Sequence, residues 1–428
     1  MKNVEDWKTD YLACIAKITM GQSPDSRYYS EEENGLPFLQ GCAEFGSRFP
    51  NHFFYCSQTK KVANADSILF SVRAPVGRIN IADRDYIIGR GLAAILAEDV
   101  DQTYLEHYLR HEESKFSNAS QGSTFEAINS TELSKWPIGY PTSRHEQRKI
   151  AEVISTVDRA IEQTEALITK QQRIKTGLMQ DLLTRGIDEH GNLRSEKTHK
   201  FKNSPLGRIP TEWTSCQIGN AATLQRGHDI TEDDLRDGPY PVISSSGVIG
   251  YHAERTSKGP NVVVGRKGTI GRVHYLEHDF WAHDTSLYVT NFRGNDEHYI
   301  FYLFNHLDLA RYGTKSGSPS LNRNDIHPLW IGLPSPDEQG KIATILKRYD
   351  QGLDSLGRGS GKLRAFKTAL MQDLLTGNRR VTVLTVDTKR EREAHRWPYS
   401  MIGVKAVEKK LNRSVCGNSR KSTKGVMP

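Results

Sequence analysis

The sequence predicts an α+β protein in which two domains of mixed short strands and helices alternate with two long helices. Three observations lead to this prediction: one segment is duplicated, apolar residues inside it have helical spacing, and the flanking segments contain strand-like runs. The two copies cover residues 146–184 and 338–376, and 16 of their 39 positions are identical. A duplication of this length implies a fold with two related halves.

The duplicated segment has the spacing of a long amphipathic helix. Its apolar residues recur every three or four positions, which places them on one stripe, and a stripe that long needs a partner to cover it. We therefore expect the two helices to pack together, and each reaches about 58 Å at 1.5 Å per residue if unbroken. The alternative interpretation is that each helix, taken alone, packs against the core of a domain and not against the other helix. The residues predicted to form the helix interface are Ile150, Ile154, Val157, Ile161, Leu178, Leu182, Ile342, Leu346, Leu363, Leu370 and Leu374.

A glycine-rich stretch interrupts the second copy. Gly357, Gly359 and Gly361 fall inside the predicted helix. Each glycine weakens a helix interior by about 1 kcal/mol. We expect fraying or a kink at this point.

The segments outside the duplication predict the mixed domains. Runs such as DSILFSV, GRINIA, PNVVVGR and TSLYVTNF are typical of short strands, whereas DQTYLEHYLRHE and DEHYIFYLFNHLD are helix-like. The two domains also correspond weakly, because Trp7 and Gly21 have the same spacing as Trp213 and Gly227. The predicted boundaries are 1–140 for the first mixed domain, 141–186 for the first long helix, 187–204 for a linker, 205–335 for the second mixed domain, 336–377 for the second long helix, and 378–428 for a basic, partly disordered tail.

This order of features resembles the DNA specificity subunits of Type I restriction-modification systems over residues 1–380. The resemblance rests on the duplication, on a proline followed by Glu-Gln-x-Lys-Ile before each long helix, on the LMQDLLT exit, and on LGRIPTEW at the second domain. It implies two target-recognition domains that each read half of an interrupted double-stranded DNA target. The long helices would then be an antiparallel coiled coil in a pseudo-twofold arrangement that docks modification subunits. Because the two domains differ in sequence, we expect an asymmetric target.

The resemblance also implies a chain that is not an enzyme. S-adenosylmethionine, ATP and Mg are expected on partner subunits, which are a methyltransferase and, where present, a restriction and motor subunit. The residues agree, because the chain has no Asn/Asp-Pro-Pro-aromatic motif, no GxGxxG fingerprint and no GxxxxGK[ST] loop. His274, His278, His283 and Asp284 have no standard metal-site spacing, so no metal is predicted. The alternative function is a non-enzymatic coiled-coil scaffold whose variable domains bind protein or glycan partners.

The composition of the chain indicates where the protein is located, but it does not indicate which ligand the protein binds. No stretch has the length and apolarity of a membrane span, and the polar start is no signal peptide, so we expect a cytoplasmic protein without a membrane partner. The formal net charge of +7 comes from residues 381–428, which contain 11 Lys and Arg against 4 Asp and Glu. The remainder is balanced, and its net charge gives no support for DNA binding.

Residues that contact DNA are expected in corresponding strand-turn segments of the two domains, SVRAPVGR and VGRKGTIGR. Arg, Lys, Asn and Gln are the side chains that reach base edges or phosphates, and glycine lets a backbone approach a partner closely. Ordinary surface cations beside a hairpin are the alternative interpretation. The candidates in these segments are Arg73, Arg78, Arg266, Lys267 and Arg272, and Gln22 in MGQSPD is a further candidate.

Overall fold

The computed structural model describes residues 6–120, 127–231, 235–314 and 319–381. The chain divides into two compact units. Unit 1 comprises Met1–Asp158 and Ala365–Pro428, and unit 2 comprises Arg159–Arg364. The predicted disordered tail, from residue 382 onward, lies outside the described residues. Within the described ranges, no helix is long and apolar enough to cross a membrane.

Unit 1 is built from short strands and helices, as the sequence predicts. Its strands are β1 (Trp7–Tyr11), β2 (Ala16–Met20), β3 (Tyr29–Ser30), β4 (Leu36–Leu39), β5 (Phe54–Cys56), β6 (Val62–Ala63), β7 (Ile68–Ser71), β8 (Ile79–Ile81), β9 (Tyr86–Ile88), β10 (Leu92–Ala97) and β11 (Pro137–Pro141). Its short α-helices are α1 (Leu12–Ile15), α2 (Gln102–His111), α3 (Glu113–Ser120) and α4 (Ser130–Ser134).

Three sheets organise these strands. One has the order β2-β10-β7-β8, a second has the order β3-β5-β4-β9-β6, and β1 pairs with β11. All pairings are antiparallel except β4 with β9. Strand β7 (ILFS) is buried along its whole length, which explains its continuous apolar run.

Unit 2 repeats this plan. Its strands are β12 (Phe201–Ser204), β13 (Gly207–Pro210), β14 (Thr214–Gln217), β15 (Thr223–Arg226), β16 (Tyr240–Ser244), β17 (Gly247–His252), β18 (Asn261–Gly265), β19 (Val273–Leu276), β20 (Trp281–Ala282), β21 (Ser286–Asn291) and β22 (Trp330–Leu333). Its short α-helices are α6 (Ile218–Ala221), α7 (Glu297–His306) and α8 (Arg323–Ile326). The sheets β15-β21-β18-β19 and β17-β16-β20 correspond to those of unit 1, and the parallel pair β16 and β20 matches β4 and β9.

The predicted long helices are α5 (Arg144–Thr184) and α9 (Pro336–Leu375), and both are divided between the units. Within unit 2 they run antiparallel, because Glu165 pairs with Arg364 and, further along α5, Lys175 pairs with Asp350, which is earlier in α9. The fraying expected at residues 357–361 was wrong, since all five residues lie within α9. Contact with α5 explains this, because Ser360 is buried and its hydroxyl lies 3.5 Å from a Glu165 carboxylate oxygen.

The residues predicted for the helix interface occupy several environments. Some contribute to the main core of unit 1, others to that of unit 2. The core of unit 1 takes Ile150, Ile154 and Leu374, with Leu370 partly buried against it, and the core of unit 2 takes Leu182, Ile342 and Leu346, with Leu178 partly buried against it. Val157 is buried, whereas Ile161 and Leu363 are half-buried. Each helix end is therefore also a core element of a mixed domain.

The repeated Glu-Gln pair fastens each long helix to its mixed domain. The Gln147 side chain accepts from the Asp101 backbone N–H (2.7 Å) and donates to the Pro141 carbonyl (2.7 Å). In unit 2, Gln339 accepts from the Asp296 backbone N–H (3.0 Å). Asp101 and Asp296 are themselves the N-caps of α2 and α7, so the same joint occurs in both units.

Candidate nucleic-acid interface

In unit 2, four loops that follow strand ends come together. We call residues 226–229, 245–246, 266–271 and 283–285 the unit 2 loop cluster. Side chains also link the loops, because the Ser245 N–H donates to the Thr285 hydroxyl at 3.3 Å. The backbone hydrogen bonds at the cluster are Gly227 N to Ser286 O (3.0 Å), His228 N to Ala282 O (2.7 Å), His283 N to Ile243 O (3.0 Å), Arg266 N to Thr285 O (2.8 Å), Gly271 N to Gly265 O (2.8 Å) and Leu321 N to Arg266 O (2.9 Å).

Unit 1 contains a matching cluster. We call residues 21–23, 40–41, 72–77 and 89–91 the unit 1 loop cluster. Each backbone bond of unit 2 has a counterpart at the corresponding strand position. The counterparts are Gly21 N to Leu92 O (2.9 Å), Gln22 N to Ile88 O (2.9 Å), Gly89 N to Leu39 O (2.7 Å), Val72 N to Gly91 O (3.0 Å), Gly77 N to Ser71 O (3.0 Å) and Ile128 N to Val72 O (3.0 Å).

The equivalent glycines Gly21 and Gly227 let these loops converge. A Cβ atom on Gly21 would lie 2.1 Å from the Gly89 carbonyl oxygen, and one on Gly227 would lie 2.1 Å from the His283 carbonyl oxygen. No side chain fits at either position without moving the backbone. Their matched spacing in the sequence therefore reflects the same close approach in each unit.

The two clusters share a backbone frame but differ in the side chains they present. The hydrogen bonds make four pairs of positions equivalent, and only the last pair conserves a charge. The pairs are Gln22 with His228, Val72 with Arg266, Arg90 with Asp284, and Arg73 with Lys267. One frame therefore presents two different chemical surfaces.

The structure brings most of the predicted DNA-contacting residues to these clusters. Gln22 and Arg73 are exposed in unit 1, and Arg266 and Lys267 are half-buried in unit 2. The Arg266 guanidinium donates to the Asp284 carbonyl oxygen at 3.4 Å. Arg78 and Arg272 directly follow the 72–77 and 266–271 loops and are both exposed. Arg78 lies 3.8 Å from the exposed carboxylate of Glu113. Exposed ion pairs at this separation contribute little to stability.

The clusters also contain polar residues that the sequence did not predict to contact DNA. In unit 2, the Arg226 guanidinium donates to the Asp284 carboxylate at 2.8 Å. The Arg226 side chain is 53% exposed and the Asp284 side chain 14% exposed. In unit 1, the Ser23 hydroxyl accepts from the Arg90 backbone N–H (3.2 Å) and from the Gln40 amide (3.1 Å). No sequence spacing connects these residues, because the sheets alone bring them together.

One acidic cluster in unit 2 has ligand atoms close enough for a metal. Asp229, His283 and Asp284 place such atoms within 4.8 Å of one another. Of the four residues considered from the sequence, this group contains only His283 and Asp284. Arg226 already neutralises Asp284, and Asp229 is exposed. The arrangement is that of a surface ion-pair group and does not indicate a metal.

The long helices carry exposed apolar residues at one repeated position. Phe366 in unit 1 is 54% exposed, and Ile174 in unit 2 is 41% exposed. Each directly precedes the repeated Lys-Thr dipeptide. In unit 1, Phe366 lines an open groove with Trp7, Val157 and Leu370. The two units thus expose large apolar side chains at the same place in the repeat.

Known proteins share both the sequence pattern and the fold. A candidate type I restriction enzyme specificity subunit of Methanocaldococcus jannaschii, MjaX, is 40% identical over 184 residues, which cover 42% of this chain and only 43% of that protein. The MjaVIII specificity subunit of the same organism is 20% identical over 409 residues, which cover 88% of this chain and 94% of that protein. The fold matches the crystal structure of the Type I restriction-modification S subunit from M. genitalium with a TM-score of 0.59 at 16% identity, covering 87% of this chain and 97% of that chain.

The family assignment rests on the conserved sequence pattern of both halves. The sequence model of the family described as "Type I restriction modification DNA specificity domain" matches residues 5–171 and, a second time, residues 210–359. The first match extends into α5 and the second into α9, so each covers most of one mixed domain and the first part of one long helix. The chain therefore belongs to the Type I restriction-modification DNA specificity family.

Proposed function

We propose that this chain is the sequence-specific DNA-recognition subunit of a Type I restriction-modification complex. Unit 1 and unit 2 each read one part of an asymmetric, two-part target. The observation that carries the proposal is the shared backbone frame of the two loop clusters, which presents different side chains in each unit. A protein that reads two different half-sites needs this combination of fixed support and varied surface.

The local charge of the clusters supports a polyanionic ligand. Exposed cations lie in or next to the unit 1 cluster at Arg73, Arg78 and Arg90. The unit 2 cluster offers Arg226 and Lys267. Phosphate contacts by such cations supply much of the affinity of a DNA-binding protein, whereas base contacts supply its specificity. The balanced net charge outside the tail therefore hides a local concentration of positive charge in unit 1, whereas Asp229 and Asp284 offset part of the positive charge in unit 2.

The exposed apolar positions on the long helices support two copies of one protein partner. Phe366 and Ile174 occupy the same position of the repeat, so a subunit that binds one unit has a related surface on the other. The partners proposed are modification subunits, with a restriction subunit where the system has one. A glycan or general protein scaffold explains the duplicated helices but not the paired cationic loop clusters.

The chain itself is proposed to be non-catalytic. S-adenosylmethionine, ATP and Mg then bind to the partner subunits and not to this chain. A methyl-transfer assay with purified chain alone is expected to show no turnover above background. Addition of the modification subunit should produce methylation.

Methylome sequencing tests the proposed recognition directly. A host expressing this chain with its modification subunit should carry methylation at one interrupted, asymmetric target. Replacing residues 1–140 with the corresponding domain of a relative should change one half of that target only. Methylation at a continuous palindrome, or a domain exchange that alters both halves together, would contradict the proposal.

A further inference from the structure

Two exposed arginines of the loop clusters, Arg226 and Arg90, lie at positions whose charge differs between the two units. Arg226 ends β15 in unit 2, and its guanidinium is held by Asp284 at 2.8 Å. Arg90 occupies the position in unit 1 that Asp284 occupies in unit 2, and its backbone N–H is held by the Ser23 hydroxyl at 3.2 Å. The cation therefore comes from a different strand end in each unit, although the frame is the same.

We propose that Arg226 and Arg90 are specificity-determining residues, each of which reads one guanine in the half-site of its own unit. The proposal rests on the proposed function and adds the residues and the base. Arginine suits this role because its planar guanidinium donates two parallel hydrogen bonds to the O6 and N7 atoms of guanine. No other base offers two acceptors side by side on its major-groove edge.

Asp284 is a positioning residue for Arg226. Its side chain is mostly buried, whereas that of Arg226 is about half exposed. The carboxylate accepts one hydrogen bond from the guanidinium, and within the described ranges no other side-chain partner of Arg226 occurs, so its other N–H groups can face a base. An arginine held in this way loses less conformational entropy on binding than a free one. In unit 1, the Ser23 hydroxyl fixes the backbone from which Arg90 extends and also holds Gln40, so this loop has a defined course.

Among the other cations, Arg73 and Lys267 fit phosphate contacts better. Arg73 and Lys267 occupy equivalent positions, and the positive charge is present in both units despite the different half-sites expected. A contact to the phosphate backbone is common to all sequences, so its charge should recur. A base contact should differ between units, as Arg90 and Asp284 do. Whether the charge is the same at equivalent positions of the two units thus distinguishes phosphate contacts from base contacts.

The experiment selects binding sites from a randomised double-stranded DNA library with the complex of this chain and its modification subunit. Arg226→Ala should remove the preference for guanine at one position of one half-site, by about 5- to 150-fold. Arg90→Ala should do the same in the other half-site. Arg226→Lys keeps the charge but not the planar pair of donors, so it should lose the same preference with little loss of nonspecific affinity. Asp284→Asn should weaken that preference and add nothing to Arg226→Ala.

Lys267→Ala and Arg73→Ala are the matched controls. Each should lower affinity for all sequences and reduce the salt dependence of binding without changing the selected target. The inference is overturned if Arg226→Ala or Arg90→Ala leaves the selected target unchanged, or if the controls change base preference instead. If the unsubstituted complex selects no sequence at all, the proposed function fails rather than the assignment of these residues. Unchanged thermal unfolding of each variant shows that a lost preference does not reflect a misfolded unit.

Discussion

The Glu146 carboxylate accepts hydrogen bonds of 2.6 and 2.7 Å from the guanidinium of Arg380. Glu146 is near the start of α5, and Arg380 follows the end of α9. Unit 2 contains the corresponding pair, in which Glu338 accepts from Arg194 at 2.5 and 3.1 Å. Each unit is thus closed by the start of one long helix and the segment that follows the other. This relationship explains why the glutamate at the start of the duplicated segment is identical in its two copies.

The first prediction concerns the pair in unit 2. Glu338→Gln leaves Arg194, which is 8% exposed, with only the more distant and 58% exposed carboxylate of Glu212 at 3.8 Å as a charged partner. Glu338 also accepts from Trp213 Nε1 at 3.2 Å and from the Ile187 N–H at 3.0 Å. We expect urea unfolding to show a loss of about 3–5 kcal/mol. The exposed pair of Arg208 with Glu196 provides the control, since Glu196→Gln should change stability by less than about 1 kcal/mol.

The corresponding substitution in unit 1, Glu146→Gln, should lower the free energy of unfolding by less. Arg380 is 27% exposed and retains Asp6 at 3.3 Å, so Glu146→Gln leaves a cation that is partly solvated and still partly paired. We expect this loss to be clearly smaller than that of Glu338→Gln in the same assay. Equal losses for the two variants would show that burial of the arginine does not set the cost.

The second prediction concerns pH. His107 in unit 1 is buried, with its Nε2 atom 2.9 Å from the Ser155 hydroxyl. Burial lowers the pKa of His107 from its ordinary 6.5 to about 4, against the opposing effects of Glu106 and Asp158. Below pH 6.5 the unfolded chain binds a proton that folded unit 1 excludes. Stability should therefore fall as the pH decreases towards 4, by about 2 kcal/mol between pH 7 and pH 5 from this residue.

Comparison of variants isolates the contribution of His107. Urea unfolding of unsubstituted chain and of His107→Gln at pH 7 and pH 5 should give a smaller pH effect in the variant. His145→Gln, at an exposed position on α5, should retain the full effect. Unfolding curves of His107→Gln that depend on pH as strongly as those of the unsubstituted chain would contradict this origin of the acid sensitivity.

The third prediction tests partner docking. Phe366→Asp and Ile174→Asp place charges at the exposed apolar positions of units 1 and 2. Loss of one exposed apolar anchor should weaken binding of a modification subunit by about tenfold at that unit. Size-exclusion chromatography of the double variant should show loss of both subunits. Ala365→Asp and Gln172→Asp are controls at neighbouring exposed positions and should leave assembly intact. Unchanged assembly of the double variant would remove these positions from the interface.

The sequence predicted the parts of the fold that rest on local or repeated patterns. The spacing of Ile150 and Ile154 and the copy in α9 predicted the long helices, and Trp7 with Gly21 indicated the related domains. The prediction of fraying failed because helix propensity does not include the contact between Ser360 and Glu165.

The side chains that come together in the loop clusters were less predictable from the sequence than the long helices and the two related domains. Arg73 and Lys267 were found because they stand in similar turn motifs. The pair of Arg226 with Asp284 was missed because the two residues are far apart in sequence and meet only through the pairing of β15 with β21. Which cations share a surface depends on sheet order, and a single sequence does not give that order.

The last prediction contrasts two kinds of glycine. Gly186 follows α5 with φ at +64°, and a Cβ atom there would lie 2.5 Å from the Trp213 ring and 2.2 Å from a Glu338 carboxylate oxygen. Gly186→Ala should therefore combine backbone strain with a clash in a packed core and destabilise unit 2 by about 2–4 kcal/mol. Gly357 lies inside α9, where a Cβ atom would meet nothing within 4 Å. Gly357→Ala should instead stabilise the helix by about 0.5–1 kcal/mol. Urea unfolding of the two variants should give opposite shifts, whereas destabilisation by Gly357→Ala would show that α9 needs glycine there for a reason other than local helix geometry.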